Sequence, residues 1–368
     1  TQGICGPYAS LLLADAGARV IKVEPPEGDY ARNFGGPMVD GVSATFFHLN
    51  RNKEGVRLDI REPKDRQRLL DILKNADVFI EEAGNRRLKR LGLSYQDLER
   101  VNPGLVHCTI SAHGTKGPLR NQPASELTLQ AMSDHLATLG VSGEEPVRMG
   151  PDMASLGTSL FVANSILGAL YHKWRTGEGQ LISLNLLDTL IHQKGFTWTS
   201  MVGPDAWNGH SENYFNPPHH GYRTADQPIL LSAAGGFSPG PSEQFAALLK
   251  TLKMEEYLEH PLFQRPAREI MGFGGEGTLS FEAMPIWEKA FKSWKSEELL
   301  DLLNSLGSNS SLVNSYEQLF AHPQMDAIGM VREMNHPTLG KVKCLMSPWK
   351  LDGVPKATPE PYVEEGIR

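Results

Sequence analysis

The stretch Gly6–Glu24, GPYASLLLADAGARVIKVE, decides the fold. It opens on Gly6-Pro7, carries an apolar stripe through Leu11–Leu13, and stops at Gly17, a residue suited to the left-handed turn that closes a helix. The β-branched run ARVIKVE follows at once and reads as a strand ending at Glu24, before the turn-forming PPEGD. The alternation continues outward. After Glu54-Gly55, VRLDI reads as a strand, DRQRLLDILKNA as an amphipathic helix and DVFIEE as a strand. SYQDLERVNPG predicts a helix opened by Ser94 and broken at Pro103, followed by the strand LVHCTISA. Helices alternating with strands over short connections predict a mostly parallel sheet flanked by helices, an α/β fold. No G-x-G-x-x-G follows a strand, so a dinucleotide fingerprint is absent.

The chain has 368 residues, 40% hydrophobic and 21% charged, enough for two cores. Formal net charge is −7 and the pI about 6.0, with both signs interspersed, which argues against nucleic acid or an anionic membrane as partner. The three cysteines, Cys5, Cys108 and Cys344, are far apart and form no metal-binding pattern. They point to reduced thiols and a cytoplasmic setting. No apolar run approaches the roughly 20 residues of a membrane span. The chain starts in mid-pattern at Thr1, so a further segment is expected upstream.

Periodicity fades over GPDAWNGHSENYFNPPHHG, Gly203–Gly221, which reads as a connection. YRTADQPILLSAAGG then looks like a hairpin, and SEQFAALLKTL and MPIWEKAFKSW like helices. From Ser315 helix and strand return, with SYEQLFAHP and then two short strands around Leu339-Gly340, ending in SPWKLDGVP. The expected organisation is a large domain from residues 1–205, a linker and small α+β domain over 206–315, and a C-terminal part, 316–368, completing the large domain.

Several residues invite a functional reading. His219-His220 are adjacent loop histidines with no third ligand at suitable spacing, so no metal is expected. AAGGFSPGPS lacks the Gly-Lys-Ser/Thr ending of a phosphate-binding loop and reads equally as a hairpin connection. LNRNKEGVRLDI brings Arg51, Lys53, Arg57 and Arg61 together, as solvated surface or as a phosphate-binding edge. In Arg148–Gln180, RMGPDMASLGTSLFVANSILGALYHKWRTGEGQ, a short loop leads into an apolar, small-residue helix from Leu156 onward. Such a helix start favours an anion or an activated side chain. Ser155 stands there as nucleophile or N-cap, with Asp152 three residues upstream as a cap or loop acid.

Together GPYASLLLADAGARVIKVEPPEGDYAR, FFHLNRNKEGVRLDI, RLGLSYQDL, NPGLVHCTISAHGTKGP, TGEGQ at Thr176–Gln180, and HPQMDAIGMV with HPTLGKV resemble the family III CoA-transferases along nearly the whole chain. That family includes formyl-CoA and carnitine CoA-transferases and α-methylacyl-CoA racemases. The resemblance implies a Rossmann-like large domain built from both chain ends, a smaller middle domain, an interlaced dimer, and an opening strand ahead of Thr1. It also implies CoA thioesters as substrates, with no covalently bound cofactor. Lys53, Leu58, Arg61, Arg90 and Leu91 fall at its CoA-contacting positions.

In such transferases an aspartate attacks an acyl-CoA to give a mixed anhydride, CoA thiolate returns to form an enzyme thioester, and the acceptor acid completes the exchange. A carboxylate suits this because every intermediate stays activated. No gap separates the small-residue helix from TGEGQ, so the aspartate position is Ser155. A serine ester is far less activated, and Asp152 is several ångströms along the chain. The family's E-N-F-R-P-G turn appears as Glu81–Arg86, with acidic Glu82 and Ala83 expected to disfavour CoA phosphates. Ile4 replaces a polar residue. The racemase Gly-His-Asp becomes Ala124-Ser125-Glu126, without the histidine base. These departures imply weak or no CoA binding and a non-catalytic subunit, like one chain of a benzylsuccinate CoA-transferase, paired with a homologous chain that keeps the aspartate. Activity through Asp152, or a binding role without a transferase partner, are the alternatives.

Overall fold

A computed structural model describes residues 1–39, 41–136, 145–194, 221–231, 242–265, 270, 277–308, 310–350, 352 and 358–364. His219-His220, most of the Gly203–Gly221 connection, AAGGFSPGP and parts of SPWKLDGVP lie outside them. Two compact units emerge: Thr1–Ser133 with Met149–Lys194 and His322–Arg368, and Asp134–Arg148 with Gly195–Ala321. Residues 134–148, which the sequence pattern put with the first segment, group with the second unit.

The larger unit begins with α1 (Cys5–Asp15) and β1 (Val20–Glu24), joined through Gly17 at φ +100°. A two-stranded ribbon follows, β2 (Met38–Val39) and β3 (Val42–Ser43). Then come α2 (Ala44–Asn50), β4 (Lys53–Arg57), α3 (Pro63–Leu73), β5 (Val78–Glu81), α4 (Asn85–Arg90) and α5 (Tyr95–Val101). Ser94 opens α5 through a reciprocal cap with Asp97, as its position implied. Next are β6 (Val106–Ser111), α6 (Glu126–Met132), α7 (Met153–Thr176), β7 (Leu181–Asn185) and α8 (Leu186–Gln193).

The strands of the two three-stranded sheets pair in parallel. β5, β6 and β7 form one sheet; β1 and β4 form another, in which β12 (Val363–Glu364), from the far end of the chain, pairs on the other side of β4. The edge strands β1 and β5 both line one cavity of about 1140 Å³. Val56, Leu58, Leu69, Leu73, Leu88, Leu93 and Leu98 fill the core beneath α3 and α5, while Cys5, Ala9, Cys108, Ile110, Val162 and Ile166 pack α1 and α7 on β6. The cysteines are all free and buried.

α7 departs from expectation twice. It starts at Met153, not near Leu156, because the loop turns at Gly150-Pro151 and Met153 already donates its N–H to Pro151 O at 2.9 Å. It is also 24 residues long with an 18-residue window of mean hydropathy 1.5, long and apolar enough by length and composition to cross a membrane. Its serines, threonine and asparagine masked this as interruptions. Ala154, Thr158, Val162, Ile166 and Ala169, a stripe at helical spacing, are buried against the unit's own core.

The second unit holds β8 (Ile229–Leu231), α9 (Glu243–Thr251), α10 (Gly277–Phe291), α11 (Ser296–Ser305), β9 (Ser310–Leu312) and α12 (Tyr316–Ala321). β8 and β9 are antiparallel, and Tyr222 bridges back to Ile229, as a hairpin reading of that run requires. Phe245, Phe263, Trp287 and Phe291 build its core, with the Trp287 indole N–H donating to Ile270 O at 3.1 Å. In the larger unit, α13 (Pro323–Ala327) precedes the hairpin of β10 (Val331–His336) and β11 (Gly340–Leu345).

Candidate active site

The starts of α1 and α7 lie side by side: Ser159 Oγ is 2.7 Å from Cys5 O and 2.6 Å from Ser155 O. A helix start exposes unpaired N–H groups and the positive end of a dipole. Each of these two holds a carboxylate. At α1, Glu82 accepts from Gly6 N–H at 2.9 Å and Gln2 N–H at 3.2 Å. At α7, Glu126 accepts from Ala154 N–H at 2.7 Å and Ser155 N–H at 3.1 Å, and from the Ser155 hydroxyl at 3.0 Å.

Ser155 is therefore not the N-cap of α7. That position belongs to Asp152, whose side chain makes no capping bond, and Ser155 sits in the first turn. The capping serine nearby is Ser125, which opens α6 by accepting from Thr128 N–H. Because α6 starts at Glu126, that carboxylate is aimed at α7. Gln130, one turn on, donates to Glu126 Oε1 at 3.0 Å. An ionised carboxylate accepts at about four lone-pair positions. Those of Glu126 are engaged by Ala154, Gln130 and, twice, Ser155.

The residues expected to contact CoA divide. Lys53, Leu58 and Arg61 line the 1140 Å³ cavity; Arg90 and Leu91 do not. Lys53 is buried and donates to Pro7 O at 2.7 Å and Asn50 Oδ1 at 3.1 Å, and its burial draws its pKa well below that of a free lysine. Leu58 belongs to the core. Arg61 makes a bidentate pair with Asp59 at 2.7 Å, and Arg90 donates to Arg86 O at 3.4 Å. A common phosphate-binding edge does not form from the basic run. Arg51 is buried against Asp15 at 2.5 Å and Arg57 pairs with Glu364 at 2.7 Å, so each base faces its own partner. Glu82 likewise serves as an α1 cap, where the sequence reading made it a repulsive neighbour of CoA phosphates.

Glu126 is the residue that sequence reasoning passed over as a site group. Its signal was local, a serine cap one residue before a helix start; nothing in spacing links residue 126 to residue 155. Among the described residues no cluster of His, Cys, Asp and Glu is arranged to hold a metal.

The chain is matched along its length by known proteins. The description CoA-transferase family III matches residues 1–365. The succinyl-CoA:glutarate CoA-transferase of Mus musculus is 29% identical over 356 residues, covering 93% of this chain and 76% of that protein. The succinate–glutarate CoA-transferase of Agrobacterium fabrum is 28% identical over 337 residues, covering 89% and 81%. A CAIB/BAIF family protein from Brucella suis superposes with a TM-score of 0.81 at 27% identity, covering 99% of this chain and 93% of that one. The chain belongs to CoA-transferase family III.

Proposed function

We propose that this chain is the non-catalytic subunit of a heteromeric family III CoA-transferase, which exchanges CoA between an acyl-CoA and a carboxylic acid in a cytoplasmic setting. A homologous chain carries the nucleophilic aspartate. The observation that carries this reading is the chemistry at position 155. A serine stands there, and the carboxylate hydrogen-bonded to it, Glu126, spends its lone pairs on Ala154, Ser155 and Gln130. A group bound in this way is a poor nucleophile. Asp152 lies three residues away, and misplacement by about 1 Å can cost on the order of a hundredfold in rate.

A partner is supported by α7, whose Leu160, Leu167, Tyr171 and Trp174 form one stripe, each more than half exposed. In an interlaced pair a chain stays structurally necessary after losing its own chemistry. The acids to test are glutarate and succinate, from the names of the relatives, and benzylsuccinate, from the heteromeric members of the family. The chain should be purified alone and with a homologue bearing aspartate at the position of Ser155, then assayed for transfer from succinyl-CoA. Transfer only by the pair supports the reading. Robust transfer by the isolated chain, lost in Asp152→Asn, favours an active enzyme instead.

A further inference from the structure

We infer that the His322-Pro323 and His336-Pro337 steps fasten the C-terminal return of the larger unit, residues 322–345, through uncharged imidazoles. Mild acid then releases this segment while the rest of the unit stays folded. The transferase reading above uses neither histidine.

The two steps are built alike from their sequence. A residue before proline is pushed out of the helical region into extended backbone, the conformation of a helix N-cap. His322 has φ −69° and ψ 130° and caps α13, with Pro323 as its first residue. The pyrrolidine ring has no N–H, so the first donor left for a cap belongs to the residue after it. Gln324 N–H accordingly donates to His322 Nδ1 at 3.1 Å. In the hairpin turn, Thr338 N–H and Leu339 N–H donate to His336 Nδ1 at 3.4 and 3.3 Å, and Thr338 Oγ1 lies 3.1 Å from it. The His336 ring also packs on Phe47 of α2, with centroids 4.9 Å apart. A third step, His260-Pro261 in the second unit, repeats the pattern: His260, at φ −70° and ψ 132°, accepts from Leu262 N–H at 3.2 Å.

Most N-caps use a hydroxyl, amide or carboxylate oxygen, which still accepts at mildly acidic pH. A ring nitrogen does not. Imidazole Nδ1 accepts only while the ring is neutral with its proton on Nε2; a second proton binds Nδ1 and turns the acceptor into a donor facing N–H groups. Each fastening is therefore present while the ring is neutral. It is lost as pH falls through the imidazole range, near 6.5 for a free ring.

The charged and titratable groups around the segment include Asp15 of α1, which accepts from the Ser347 hydroxyl at 2.7 Å, and His48 of α2 with Arg51 beyond it. The hairpin and α13 add Arg332, Glu333, Lys341, Lys343, Cys344 and Asp326, of which Lys341 and Glu333 pair at 3.0 Å. Burial, reinforced by Arg51, lowers the His48 pKa to about 4, and burial pushes the Cys344 thiol up. Neither changes charge in mild acid. Free carboxylates, lysines and arginines titrate outside that range. The Glu24 carboxylate that receives Tyr362 is held at about 2, so the junction it makes outlasts the histidine fastenings.

Hydrogen–deuterium exchange of the full chain tests this, read by peptide mass spectrometry at about pH 7.5 and 5.5 and corrected for the intrinsic rate. Protection over residues 322–345 should fall about fivefold or more at the lower pH, the equilibrium factor that accompanies loss of one N-cap, while peptides of β5, β6 and β7 keep theirs. His322→Asn with His336→Asn leaves an acceptor oxygen at each step and removes the titration, so protection of that variant should change by less than about twofold. An equal fall in the variant, or a fall spread over the whole chain, overturns the inference. Flat protection of the unmodified chain overturns it as well, and that result stands even if the variant does not fold.

Discussion

The Tyr362 hydroxyl donates a 2.6 Å hydrogen bond to Glu24 Oε1, joining the last strand segment to the end of β1 across 338 residues of sequence. The same carboxylate takes a bidentate pair from Arg32 at 2.8 Å and the N–H of Asp29 at 2.8 Å. Arg32 in turn lies over the Phe46 ring, its guanidinium carbon 4.1 Å from the centroid. Tyr362→Phe keeps the edge contact with Phe46 and deletes only the donor. A hydrogen bond to a charged group contributes about 1.5–3 kcal/mol, so the variant should lose on the order of 1.5 kcal/mol, read from the urea midpoint. An unchanged midpoint would mean that solvent replaces the hydroxyl at no cost.

Acid should loosen this same junction. Burial alone would raise the Glu24 pKa, but hydrogen bonds from Arg32, Tyr362 and the Asp29 amide outweigh it and hold it at about 2, against an ordinary 4.5. A depressed carboxylate stabilises the fold above its unfolded pKa and loses that contribution as pH falls. The thermal midpoint should therefore drop as pH goes from about 4.5 toward 2, and the drop should be shallower in Glu24→Gln. Parallel curves for the two proteins would assign the acid sensitivity to other groups.

The turn TGEGQ contains two glycines needed for different reasons. Gly177 adopts φ +81° with open space where a Cβ would point. Its alanine variant should cost only the left-handed conformation, about 1–2 kcal/mol. A Cβ on Gly179 would meet Leu105 O at 2.2 Å and Leu105 C at 2.7 Å, backbone atoms that cannot rotate aside. Gly179→Ala should cost about 3 kcal/mol or more, in the range of overpacking. Denaturation of both variants tests the order; a larger loss at Gly177 would contradict it.

The α7 stripe should behave as a covered face. Leu167→Glu with Trp174→Glu places charge on residues that are more than half exposed in the single chain, so the fold should tolerate it. Association with the homologous chain, measured by light scattering after size exclusion, should be lost. Persistence of the complex would move the contact elsewhere.

Coenzyme A should bind the assembled pair once, in the aspartate-bearing chain. Here Arg61 is held by Asp59 and Lys53 by Pro7 and Asn50, so neither offers a free charge to a phosphate. Calorimetry on the pair measures this, and two equivalent sites would refute it.

The alternation of helix and strand and the helix ends at Gly17 and Ser94 were legible in residue order, because they depend on contacts a few residues apart, and that alternation over short connections implied parallel pairing. Gly6–Glu24 alone specifies a helix, a left-handed turn and a strand, and Ser94 announces α5. The serine at position 155 was also legible, since an unbroken helix sets its register. What tertiary structure decided was where the charges go. Arg51, Lys53, Arg57 and Arg61 are neighbours in sequence, yet alternation along a strand and the turns beside it send them to separate partners. Glu82 was read as a repulsive neighbour of CoA phosphates and Glu126 was passed over, and both sit at helix starts. A helix start draws in a carboxylate through backbone N–H groups that every sequence possesses, so only the packing of α6 against α7 determines which acid arrives there.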